Sequence, residues 1–116
     1  MAPEQNPSPV TAEALLRRLG LTGKFTGFQS AICLVEKVVE DPTNLKLVTK
    51  RLYPETAAQL GITPSALERS VRTLVQVCWN RGDRKYLDLV AGFHLTERPS
   101  NTEFIDILAN YLRKAV

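Results

Sequence analysis

One histidine, two cysteines and one tryptophan in 116 residues remove several classes of function at once. His94 is the only imidazole, and no serine, cysteine or acid stands at a catalytic spacing from it, so an enzyme reading has no constellation to rest on. Cys33 and Cys78 make no metal-ligand spacing with each other or with His94. Each lies inside an apolar helical pattern and reads as a buried free thiol of a reducing compartment. Glu40 and Asp41 precede Pro42 at the end of a helical pattern and read as solvated charges. No metal or cofactor is expected. No apolar run approaches the length of a membrane span. The start, MAPEQNPSPV, has neither a basic n-region nor an apolar h-region, so the expected location is the cytoplasm, with no membrane partner. No stretch shows the alternation of a strand, and there is no repeat and no heptad seam. Trp79 has no interleaved aromatics on a basic surface. Sealing a helix against the core is its preferred reading, and an exposed ring that stacks on a base is the alternative.

What is present is helical punctuation. The length fits one domain. Residues 1–10, with three prolines, read as a linker or tail with nothing to pack; residues 11–116 read as the folded part. A first helix is expected over 11–19, capped by Thr11, stopped by Gly20 and apolar at Leu15, Leu16 and Leu19. A second, over 27–40, carries Phe28, Ile32, Val35 and Val39 on one stripe, widened by Ala31 and Val38, and ends before Pro42. A third covers 44–52 with Leu45, Val48 and Leu52 inward. Tyr53-Pro54 then interrupts, before helices over 54–60, 64–80 and 84–91. Ser100-x-x-Glu103 is a capping box opening a last helix over 101–113, apolar at Phe104, Ile105, Leu108 and Leu112. The expected fold is all-α, six or seven helices around a central helix-turn-helix.

The stretch 54–73, PETAAQLGITPSALERSVRT, carries that motif. Ala57, four residues before Gly61, is small enough for two helices to cross closely, and the glycine suits a left-handed turn. Leu60 and Ile62 flank the turn and are expected to anchor both helices. Thr63 is a good N-cap and Pro64 suits the first helical position. On a wheel of about 100° per residue, Leu67, Val71, Leu74, Val75 and Cys78 form one stripe. Ser65, Arg69, Arg72 and Gln76 lie opposite, with Glu68 and Thr73 at the margins and Ala66 beside Thr73. Arginine grips a guanine edge or a phosphate, and glutamate accepts from a cytosine amino group. Ser70 occupies a late position that is usually apolar in such motifs, and Val71 beside it fills the gap. Residues 64–85 hold five basic and two acidic residues, the whole formal excess of +3, while the rest of the chain balances. A neutral body with one positive segment fits a reader of nucleic acid better than a general polycation.

The segments VTKRLYPETAAQLGITPSALERSVR (48–72), Trp79–Gly82 as W-N-R-G, and P-S-N-T-E-F-I (99–105) resemble the C-terminal DNA-binding domain of the stage zero sporulation protein A family, the sporulation-initiating response regulators of spore-forming Firmicutes. The resemblance covers about residues 11–115. It implies a six-helix effector domain that recognises a short box in double-stranded promoter DNA, binds as tandem copies and contacts the RNA polymerase sigma factor. Carried over by position, Glu68 and Arg69 match residues that contact DNA, with Ser65, Arg72 and Thr73 on the same surface. The family pattern has Arg immediately before its V-E-R, where this chain has Ala66; a lost guanidinium removes about 1–3 kcal/mol of base discrimination, so the box is expected to differ or to be read weakly. DRKYLDLVAGF (83–93) replaces a Ser-rich stretch that carries polymerase contacts in the family, with Ala91 in place of Phe. Ten residues leave no room for a receiver domain ahead of the effector, which implies an excised domain or a receiver-less relative.

Two functions compete on these grounds. One is a sequence-specific transcription regulator whose recognition surface is Ser65, Ala66, Glu68, Arg69, Arg72, Thr73 and Gln76. The other is an interaction module that has lost specific DNA reading and pairs with a regulator or a polymerase subunit, a reading that Ala66 favours. In either case the free chain is expected to be a monomer, with tandem pairing arising on DNA.

Overall fold

The computed structural model describes residues 11–115; the expected linker over 1–10 lies outside them. They contain six α-helices and no strand: α1 (Ala12–Arg18), α2 (Gly27–Glu40), α3 (Tyr53–Leu60), α4 (Pro64–Arg81), α5 (Arg84–Ala91) and α6 (Asn101–Ala115). Among them no helix is long and apolar enough to cross a membrane. The expected caps do close the helices. Thr11 accepts from the Ala14 N–H at 3.0 Å. Ser100 and Glu103 satisfy one another's N–H groups at 2.8 and 3.1 Å, the reciprocal bonding of a capping box.

The central element is α2. It packs on α6 and α4 and also meets α1 and α3. Its buried residues include Leu34 and Ser30 as well as Phe28, Ala31, Ile32, Val35 and Val38 of the expected stripe, so it is buried over more of its circumference than an amphipathic surface helix would be. Val39 is only half-buried. Phe104, Ile105 and Leu108 of α6 close the core from the other side, all fully buried.

Residues 44–52 do not form the expected α-helix. Pro42–Leu47 winds as a 3-10 turn and Val48–Leu52 as a π turn that runs into α3. Two local causes are visible. Asp41 accepts from both the N–H and the hydroxyl of Thr43, which starts the turn early. Asn44 is buried and donates to the Lys37 carbonyl at 3.0 Å, so its side chain finishes α2. Nor does Tyr53-Pro54 interrupt the chain. Tyr53 donates to the Val48 carbonyl, one residue beyond α spacing. Pro54 has no N–H to give and its ring crowds the carbonyl four residues back, a conflict that a wide turn relieves. Val48 and Leu52 still face inward, with Leu45 half-buried.

The helix-turn-helix forms as read, with one correction. Gly61 has φ +71°. The Ile62 N–H reaches the Ala57 carbonyl and the Gly61 N–H reaches Ala58, the bonding of a Schellman turn. Thr63 caps α4 by accepting from Ala66 N–H at 3.1 Å. Ala57 is fully buried at the crossing. Ile62, however, is 39% exposed: the left-handed glycine turns its side chain outward, so Leu60 alone is packed against the core at this turn.

Candidate nucleic-acid interface

The apolar stripe of α4 is buried as read, at Leu67, Val71, Leu74, Val75 and Cys78. Burial pushes the Cys78 thiol up to about 12, so it stays protonated behind the helix. The opposite side faces solvent. Ser65, Arg69, Arg72 and Thr73 are exposed, while Ala66, Glu68 and Gln76 are half-buried.

Glu68 and Arg72, one turn apart, form an ion pair. Both side chains reach solvent, and a pair of this spacing contributes only about 0.3–0.5 kcal/mol. It opens at little cost, freeing a carboxylate for a base amino group and a guanidinium for a phosphate or guanine. Arg69 is in no ion pair among the described residues. The Thr73 hydroxyl donates to the Arg69 carbonyl at 3.1 Å and keeps its acceptor lone pairs.

Two neighbouring elements set the pose of α4. From α6, the Asn101 amide donates to the Glu68 carbonyl at 3.1 Å, across 33 positions of sequence. Tyr53 is buried beside it, and burial raises its phenol above the ordinary value. From the other side, the start of α2 lies flush on α4. A Cβ at Gly27 would stand 2.3 Å from the Ser70 carbonyl oxygen, so only glycine permits the approach. Ser70, the departure from the usual motif, turns its hydroxyl onto the Leu67 carbonyl at 2.9 Å and so needs no apolar partner.

These contacts leave a groove along each edge of α4. One, of about 510 Å³, runs between α4 and the start of α6 and is bordered by Thr49, Glu68, Arg72, Arg98 and Glu103. The other, of about 390 Å³, runs between α4 and the α1–α2 loop and is bordered by Lys24, Thr26, Ala66, Arg69 and Thr73. Ser65 opens onto a third recess with Thr49 and Arg69. Gln76 borders none of these. The sequence reading did not single out Lys24, Thr49, Arg98 or Asn101; packing brings them to α4 from outside the motif, and no local pattern marks them.

The positive run at 64–85 is also redistributed by the fold. Arg84 lies over Trp79, its guanidinium carbon 3.2 Å from the ring centroid, and donates to the Trp79 carbonyl. Trp79 is half-buried against the core, which is the packed one of its two readings. His94 is exposed, paired with Asp88, which also accepts from the Leu95 N–H and so ties the loop to α5. That backbone bond, and then His94, hold the Asp88 carboxyl below its ordinary range.

An all-helical fold that presents the polar side of a capped second helix, with basic side chains along both edges, defines a helix-turn-helix DNA-binding domain. Comparison with protein families agrees. Residues 12–112 match the family model described as sporulation initiation factor Spo0A C terminal, and the chain belongs to that family, the DNA-binding effector domain of a sporulation response regulator.

Proposed function

We propose that the chain reads a specific box in duplex promoter DNA with the exposed side of α4. Arg69 and Arg72 grip guanine edges or phosphates, Glu68 accepts from a base amino group, and Ser65 and Thr73 hydrogen-bond beside them. Ala66 offers only a methyl contact, so the box differs from one read by an arginine there. Gln76 contributes least, being half-buried and outside the grooves. The observation that carries the reading is Arg69: an exposed guanidinium with no ionic partner among the described residues, in the second turn of a helix whose N-terminal end is free to enter a major groove. The chain acts in the cytoplasm, binds as a monomer and pairs in tandem where two boxes adjoin. A sigma-factor contact through residues 83–93 fits the exposure of Leu89 and Phe93 there.

Selection from a random duplex pool supplies the box. Against it, Arg69→Ala weakens specific binding by about 1–3 kcal/mol and leaves the thermal melt unchanged. Undiminished binding by the variant across salt concentrations would remove Arg69 from the interface. A pool that yields no enriched sequence would favour the interaction-module reading.

A further inference from the structure

The two grooves beside α4 are not alike in charge. The one facing α6 mixes Arg72 and Arg98 with Glu68 and Glu103. The one facing the α1–α2 loop is bordered by Lys24 and Arg69 and by no acid. Lys24 stands there for structural reasons. Phe25 packs against the core and anchors the loop. The Lys24 ammonium lies 5.5 Å from the Phe25 ring centroid, within the range of a cation–π contact. Gly27 brings the loop hard against Ser70, one residue from Arg69. Lys24 is exposed and in no ion pair among the described residues. The side of α4 that it faces carries Ala66, Thr73 and a single charge, the cationic Arg69.

We infer that Lys24, outside the helix-turn-helix, is a DNA-backbone contact: its ammonium binds a phosphate of the strand that borders the Arg69–Thr73 edge of the recognition helix. The inference rests on the α4 reading above and deepens it. A duplex whose major groove receives α4 has a sugar-phosphate strand along each edge of the helix, and an acid-free groove is where a phosphate is least opposed. The exposed hydroxyl of Thr26, which makes no capping bond, is a second donor to the same phosphate. A lysine used this way carries no sequence information; it sets register and salt dependence.

The test uses the whole chain, the selected duplex, a scrambled duplex, and binding at 50–200 mM salt. Lys24→Gln is expected to weaken both duplexes by the same factor and to reduce the salt slope by about one. Its deficit against the parent should shrink about 3.5- to fourfold across that range. Lys24→Arg should behave as the parent, and all variants should melt as the parent does. Lys114→Gln removes the same charge at the end of α6, outside this groove. Equal loss from Lys114→Gln, or an unchanged slope for Lys24→Gln, would overturn the contact while leaving the Arg69 reading intact. A change in preferred sequence with no change in slope would make Lys24 a base reader and overturn the phosphate assignment. A parent that binds no duplex at all would overturn both.

Discussion

Thr56 is fully buried in α3, and its hydroxyl has no hydrogen-bond partner among the described residues. A helical threonine commonly back-bonds to a carbonyl three or four residues earlier; here those carbonyls belong to the π turn at Val48–Leu52 and to Tyr53, where the backbone has shifted spacing. A buried polar group left unpaired costs about 1–3 kcal/mol, whereas an apolar group of the same shape does not carry that penalty. Thr56→Val is therefore expected to stabilise the fold by about 1 kcal/mol, read as a higher urea midpoint at constant m-value. A lower midpoint would mean that the hydroxyl finds a partner, and that the π turn relaxes to supply one.

At the scale of elements the informative joint is the α3–α4 turn. Nothing lies within 4 Å of where a Cβ on Gly61 would stand, so a substitution there meets no steric obstacle and the cost is conformational alone. Gly61→Val should destabilise by more than about 1 kcal/mol, since a β-branched residue resists positive φ. Gly61→Asn, which tolerates the left-handed region, should cost less than Gly61→Val. Equal melting temperatures for the parent and both variants would contradict the left-handed turn. This joint was legible because its determinants are local: a glycine at the stop, a threonine cap, a proline at the first helical position. The same is true of α2 and α5, whose bounds match the pattern of stops and stripes. Residues 44–52 were not legible, because α, 3-10 and π windings share nearly one apolar spacing and differ by where a few side chains bond. The Asn44 bond to Lys37 and the crowding at Pro54 decide the winding. On the interface, the wheel identified the exposed side of α4, but the positions of Lys24 and Asn101 depend on Gly27 and on a bond spanning 33 residues, which no window of sequence contains.

For the whole molecule the question is whether any apolar surface is left to hold a second copy. In α6, Phe104, Ile105, Leu108 and Leu112 are all buried within the chain, and Tyr111 packs against the same core. A dimer patch built on Tyr111 and Leu112 would therefore have little surface to draw on. Among the described residues the most exposed large apolar side chains are Leu89 at 63% and Phe93 at 60%, four residues apart across the end of α5. Two side chains are far short of the roughly 800 Å² per partner that a stable interface buries, though enough to seat on a groove of another protein. The free chain is accordingly expected to sediment as a monomer at micromolar concentration. Two copies should pair only on adjoining boxes, because DNA then holds them at a local concentration at which a contact too weak to join free chains becomes effective. Doubling the spacing between boxes should then remove the cooperativity between them while each box alone binds as before. A stable dimer in the absence of DNA would overturn this, and would direct attention to Leu89 and Phe93, since the apolar side chains of α6 are buried or only half-exposed.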